Sequence, residues 1–130
     1  MPGTSEAVTQ GVRVRVQAKF IPERSNAAAN QFFFAYHVTI ANEGDTAVRL
    51  LTRHWIITDA RDQVEEVEGV GVVGETPVIE PGDSFAYTSF CPLRTVFGTM
   101  RGTYGLVRPS GDTFHATIAP FTLAGPNAVQ

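Results

Sequence analysis

Val12-Arg13-Val14-Arg15-Val16-Gln17-Ala18-Lys19-Phe20 alternates apolar and polar side chains from end to end. Successive side chains of a β-strand point to opposite faces, so this alternation predicts a strand with one buried face. No segment of the chain repeats its apolar residues at a helical period. The stretch therefore predicts an all-β fold in which this strand covers one side of a core.

The rest of the chain shows the same kind of short, turn-bounded apolar segment. Further strands are predicted at residues 31–41, 46–58, 63–69, 84–90, 98–107 and 113–121. Turn-forming residues separate them at 42–45, 59–62, 81–82 and 109–112. Residues 31–41 are partly apolar on both faces, which is typical of a central strand. About seven short strands with regular turns predict an antiparallel β-sandwich.

Composition limits the class of protein. A chain of 130 residues, 43% of them hydrophobic, fits one domain, which we place at residues 12–123 between flexible ends at 1–11 and 124–130. The single cysteine, Cys91, cannot form an internal disulfide, and the first ten residues do not resemble a signal peptide, so we expect a cytoplasmic protein. A net charge of −3 argues against nucleic-acid binding, and no apolar run is long enough for membrane insertion.

Gly69-Val70-Gly71-Val72-Val73-Gly74 matches the glycine spacing of a dinucleotide-binding fingerprint. That fingerprint needs a helix after the third glycine, whereas Pro77 and Pro81 predict that the backbone past Gly74 stays extended. Backbone amides around the glycines offer an anion-binding concavity without a helix, so pyrophosphate or nucleotide binding is kept as an alternative. Glycines in or after a strand more often mark a bulge or a close backbone approach. Four nearby carboxylates would also repel phosphate: Glu65, Glu66, Glu68 and Glu75.

Neither metal binding nor catalysis has a recognisable motif. His37, His54 and His115 are scattered, and the alternation places Glu66 and Glu68 on one strand face. We predict no metal site and no cofactor, with direct divalent-metal binding kept as a further alternative. Cys91 has no base among its sequence neighbours, and His54 beside Trp55 is typical of a structural histidine. We therefore expect no enzyme.

Three stretches resemble the ApaG family: residues 51–59 (LTRHWIITD), residues 69–82 and residues 85–89 (FAYTS). Residues 100–104 and 118–123 resemble the family's final strands, so the likeness runs from about residue 12 to residue 123. It implies an immunoglobulin- or fibronectin-III-like sandwich in a bacterial protein associated with cobalt resistance and magnesium efflux. The domain is similar to one in eukaryotic F-box proteins and in a polymerase-delta-interacting protein, where it would be an interaction module.

A non-enzymatic adaptor that contacts a protein partner of unknown identity is the function these observations favour, as a monomer or a weak edge-to-edge dimer. The predicted contact residues are Gly69, Gly71, Val72, Val73, Gly74, Glu75 and Pro77. We also expect Phe33 on the outer face of its strand, near Arg49, Arg53 or Trp55, because aromatics and arginines form interface hot spots. A covered second apolar layer that includes Phe33 and Trp55 is the alternative.

Overall fold

Two antiparallel sheets stack on each other in the computed structural model, which describes residues 3–126. The described strands are β1 Thr4–Thr9, β2 Val12–Phe20, β3 Phe32–Asn42, β4 Val48–Asp59, β5 Val64–Val70, β6 Val78–Ile79, β7 Ser84–Leu93, β8 Phe97–Val107 and β9 Thr113–Ala124. One sheet has the order β1-β2-β3-β7, and the other has the order β5-β4-β8-β9 with the short β6 paired to β4. The predicted antiparallel sandwich is confirmed.

The alternation in the sequence corresponds to the observed burial. Val12, Val14 and Val16 of β2 are almost fully buried, and β3 lies between β2 and β7 as the predicted central strand. The connection from β2 to β3 contains two 3-10 helices, Pro22–Arg24 and Ala27–Ala29. Among residues 3–126, no helix has the length and apolar character needed to cross a membrane.

Parts of both predicted flexible ends belong to strands of the fold. All six residues of β1 pair with β2, and the two strands are joined by Gln10 and Gly11, whose φ values of 48° and 82° are those of a tight hairpin turn. At the other end β9 extends to Ala124, and the Gly125 N–H donates to the Val96 carbonyl at 2.8 Å. Residues 1–2 of the predicted N-terminal tail and residues 127–130 of the predicted C-terminal tail lie outside the described residues.

The core between the sheets is centred on Trp55, which is 2% exposed. Its ring lies 5.1 Å from Tyr36 of the facing sheet, and 6.2 Å and 6.0 Å from Tyr104 and Phe121 of its own sheet. The hydroxyls of Tyr104 and Tyr87 also form a buried hydrogen bond from one sheet to the other. Aromatic packing and this buried hydrogen bond therefore help to hold the two sheets face to face.

We expect Tyr104→Phe to lower the free energy of unfolding by about 1–3 kcal/mol, because it leaves the Tyr87 hydroxyl buried without this partner. Urea denaturation measures the change. The double variant Tyr87→Phe/Tyr104→Phe should lose less stability than the sum of the two single variants, because it removes both hydroxyls together. Strictly additive losses would contradict an energetic role for this hydrogen bond.

Candidate functional site

The glycine-rich segment forms a tight turn after β5. The N–H of Val72 donates to the Glu75 carbonyl and the N–H of Glu75 donates to the Val72 carbonyl, each at 2.9 Å. Val73 and Gly74 between them have φ values of 43° and 81°, as in a type I′ turn. No helix begins there, and the prediction of a non-helical backbone past Gly74 is confirmed.

Val73 is in an unfavourable position for its residue type. A β-branched residue at positive φ is a conformational outlier, and type I′ turns normally use asparagine, aspartate or glycine there. Its side chain is 55% exposed. Three other exposed apolar residues flank the turn: Leu51, Val70 and Val78, which are 36%, 75% and 55% exposed. These four residues are called the exposed valine patch below.

Two glycines of the fingerprint, Gly71 and Gly74, have a structural reason in this turn. A Cβ at Gly69 would collide with the guanidinium of Arg53, and one at Gly71 would collide with the Glu75 carbonyl. Gly74 instead supplies the positive φ that the turn requires. Close backbone approach therefore accounts for Gly71, and the geometry of the turn accounts for Gly74.

The backbone amides of this segment are largely used within the fold. The Gly71 N–H donates to the Leu51 carbonyl at 2.8 Å, and the Val72 and Glu75 amides close the turn. The Arg53 guanidinium donates to the carbonyls of Val70 and Gly71, at 3.1 Å and 2.8 Å. An anion here would lack those three donors, so this geometry gives the pyrophosphate alternative little support.

Of the predicted contact residues, Val72 is placed differently from the others. It is 1% exposed and belongs to the core, so its side chain is not available to a partner, whereas Val73 beside it is. Pro77 lies next to β4, and its carbonyl accepts the Leu50 N–H at 3.0 Å. The alternation of buried and exposed side chains along a strand does not continue through a turn. The sequence pattern therefore does not distinguish the buried Val72 from the exposed Val73.

The arginines that were expected near Phe33 lie elsewhere. Arg49 donates to the carbonyl and the hydroxyl of Thr76, at 3.1 Å and 3.2 Å, and Arg53 holds the glycine-rich segment. Trp55 is buried in the core between the two sheets and forms no second apolar layer with Phe33, so that alternative is wrong too. Phe33 instead stacks on Phe90 with ring centroids 5.5 Å apart. The contact between Phe33 and Phe90 could not be predicted from the sequence, because it depends on the strand order that places β7 beside β3.

A second group of polar side chains lies on the outer face of β4 and β5. His54 Nε2 is 2.8 Å from an Oε1 of Glu66 and 3.5 Å from that of Glu68. One potential ligand atom from each residue lies within 4.8 Å of the others. Among the described residues, this is the one group of three or more His, Cys, Asp or Glu side chains that could hold a metal ion. Register explains the cluster: His54 is paired with Glu68, and Glu66 is two residues away on the same strand face.

The other histidines are on separate strands. His37 of β3 is exposed and its Nδ1 lies 2.9 Å from the Thr88 hydroxyl, while His115 is exposed on β9. Sequence reasoning had placed Glu66 and Glu68 on one face but had no signal for the cross-strand register that brings His54 to them.

Cys91 is 3% exposed in the core. Burial, with a smaller effect of the Glu65 charge, raises the pKa of the thiol to about 12. A thiol in this state is almost wholly protonated near neutral pH and is a poor nucleophile.

We expect Cys91 to react with a thiol-specific disulfide reagent very slowly in the folded protein at pH 8, because almost no thiolate is present and the sulfur is covered. In urea the same thiol should react at the rate of a small free thiol, since its pKa returns to about 8.5. Stopped-flow absorbance compares the two rates. Equally fast reaction without denaturant would show that Cys91 is accessible and activated.

Comparisons with known proteins agree on one family. The family model of the ApaG domain matches residues 22–108 of this chain. A Protein ApaG from Anaeromyxobacter dehalogenans strain 2CP-C is 51% identical over 126 residues, covering 97% of this chain and 99% of that protein. A Protein ApaG from Shewanella sp. strain MR-4 is 48% identical over 124 residues, covering 95% of this chain and 98% of that protein.

Solved structures give the same result. The crystal structure of the putative ApaA protein from Bordetella pertussis has a TM-score of 0.87 and 43% identity, covering 98% of each chain. The C-terminal domain of wzt has a TM-score of 0.58 at 11% identity, covering 99% of this chain and 84% of that one, and shares the fold alone. The resemblance given by the sequence motifs is thereby confirmed.

Proposed function

The chain belongs to the ApaG family, and on this premise we propose that it is a non-enzymatic adaptor domain that binds a partner protein through the exposed valine patch. We place this adaptor in the cytoplasm and attach to it the association with cobalt resistance and magnesium efflux that the family resemblance implies. In this view the domain affects cation handling through its partner, whose identity is open.

The observation that carries the proposal is the conformation of Val73. A residue held in a sparsely populated backbone region costs on the order of 1–3 kcal/mol, and such residues cluster at functional sites. Asparagine or glycine would remove this strain, yet the turn presents an exposed apolar side chain instead. An apolar group that is both strained and half-exposed is accounted for by burial against another molecule.

The surroundings of Val73 support the same conclusion. Leu51, Val70 and Val78 extend the apolar surface on both sides of the turn. Arg49 and Arg53 fix the backbone that carries it, so little ordering entropy would be lost on binding. A rigid apolar centre with polar groups around it is the usual anatomy of a protein interface.

We expect Val73→Asn to raise the free energy of unfolding by about 1 kcal/mol, because asparagine tolerates positive φ. The same change should weaken partner binding several-fold, since it removes the apolar tip of the turn. Urea denaturation gives the first quantity, and quantitative affinity capture of the partner with tagged protein gives the second. Val8→Asn is the matched control, because Val8 is 49% exposed on the other sheet. Undiminished capture by a more stable Val73→Asn protein would remove Val73 from the contact.

Divalent-metal binding at His54, Glu66 and Glu68 is a second candidate function, favoured by the convergence of their ligand atoms within 4.8 Å. One imidazole nitrogen with two carboxylate oxygens suits first-row transition metals such as cobalt, nickel or zinc, and water would complete the coordination. Magnesium, which prefers oxygen ligands in octahedral geometry, fits this donor set less well.

We expect cobalt to broaden the backbone amide resonances around His54 and Glu66–Glu68 in a saturable way, and His54→Asn to abolish that broadening. Two-dimensional amide NMR spectra during a cobalt titration measure it, with His115→Asn as the control, since His115 is exposed on another strand. Broadening that survives His54→Asn, or that disappears equally with His115→Asn, would contradict a site at this cluster.

A further inference from the structure

We propose that the cleft between the ends of β3 and β7 in one sheet and of β4 and β5 in the other binds an extended, acidic peptide segment of a partner protein. This is a second contact surface, independent of the exposed valine patch. The patch and the cleft lie at opposite ends of β4, since Leu51 belongs to the patch and Asp59 lines the cleft. Leu51 and Asp59 are eight residue steps apart along the strand, roughly 25 Å.

The cleft lies at one end of the sandwich, between the ends of strands from the two sheets. It has a volume of about 730 Å³ and is lined by apolar side chains of both sheets, among them Phe33 and Leu93 on one side and Ile57 and Val64 on the other. Phe90, which stacks on Phe33, is 48% exposed beside it. An apolar floor of this kind accepts an apolar side chain of a bound peptide.

Three arginines surround this floor. Arg24, Arg61 and Arg94 line the cleft, all three are exposed, and none of them forms an ion pair with an acidic residue in the described part of the chain. Arg24 lies over the rings of Phe33 and Phe90, 4.2 Å and 5.4 Å from their centroids, so its guanidinium is held in place. Arginine in this setting pairs well with a carboxylate.

Carboxylates of the protein also line the cleft, and they limit the ligand. An Oδ1 of Asp59 accepts the backbone N–H groups of Arg61 and Gln63, at 2.8 Å and 3.0 Å, which occupies it within its own turn. Glu65 is the other acidic residue of the lining. A chain of closely spaced phosphates would meet both negative charges. A peptide can place its acidic side chains at the arginines alone, so the charge pattern favours an acidic peptide over a nucleic acid.

The strand edges favour an extended peptide. Among residues 3–126, β5 pairs only with β4 and β7 pairs only with β3, so each is the edge of its sheet in the described part of the chain. β1 and β2 pack over β9 on the opposite flank, which leaves the edges of β5 and β7 on the same side as the cleft. The register on β4 turns the backbone groups of Val64 and Glu66 toward the free edge of β5, so they can pair with an added strand, a common mode of peptide recognition.

The test is a selection of random octapeptides displayed on phage against the folded full-length protein, followed by fluorescence anisotropy titration of the enriched peptides. We expect enriched sequences with at least two acidic residues and one aromatic or aliphatic anchor. Arg24→Glu and Arg94→Glu should each lower their affinity by about tenfold or more. Arg101→Glu is the matched charge reversal, because Arg101 is exposed on β8 outside the cleft. Val73→Asn should leave the affinity unchanged.

Several outcomes would overturn the proposal. These are a selection without enrichment, enriched peptides without an acidic excess, and equal losses from Arg101→Glu and Arg94→Glu. Arg24→Gln and Arg94→Gln provide milder variants if a charge reversal disturbs folding, and unchanged affinity in both would count against the cleft in the same way. Displacement of the bound peptide by a labelled oligothymidylate would show that the arginines bind a nucleic acid instead. Loss of peptide binding in Val73→Asn would show that the two surfaces are not independent.

Discussion

The packing of Trp55 between the two sheets is the constraint on which the rest of this structure depends. Its ring meets Tyr36 across the interface and Tyr104 and Phe121 on its own side, so both sheets are bound to one buried group. Because side chains alternate along a strand, an inward Trp55 forces His54 to the outer face. The position of the His54 cluster is therefore a consequence of the core.

The same constraint explains why the glycine-rich segment is a turn and not a nucleotide loop. β4 is fixed by Trp55, and the backbone after β5 is tied to β4 through the Gly71 amide and the Arg53 guanidinium. Glycine is needed where the chain approaches the Glu75 carbonyl, because a Cβ at Gly71 would overlap that backbone oxygen. The spaced glycines thus arise from close backbone approach and turn geometry, and Val73 is the residue of this stretch whose backbone conformation does not suit its side chain.

Much of the fold follows from the sequence because burial of alternate side chains is a local property. The strand over Val12–Phe20 coincides with the predicted range, and β3, β4, β8 and β9 differ from theirs by a few residues. β1 was not predicted, because the turn that joins it to β2, Gln10-Gly11, is not the usual asparagine–glycine pair of a hairpin. β6 has two residues, too few to show any period.

The candidate sites were harder to predict, because each depends on which strands are neighbours. Phe33 meets Phe90 only because β7 pairs with β3, and His54 meets Glu68 only because of the register of β4 on β5. Val72 and Val73 are adjacent in sequence and differ in exposure because a turn with positive φ values separates their side chains. Strand order, register and turn type are long-range results of packing that no short motif encodes.

A sandwich of this kind suits an adaptor for a mechanical reason. The strands are held by a core of aromatic rings, and hydrogen bonds from Arg49, Arg53 and Asp59 hold the turns at the two ends, so both ends keep their geometry. The valine patch presents strained apolar surface at one end, whereas the arginine-lined cleft presents positive charge and free strand edges at the other. In the adaptor proposed above, two surfaces of different chemistry on one domain hold two partners at a fixed separation, which distinguishes an adaptor from a simple binding domain.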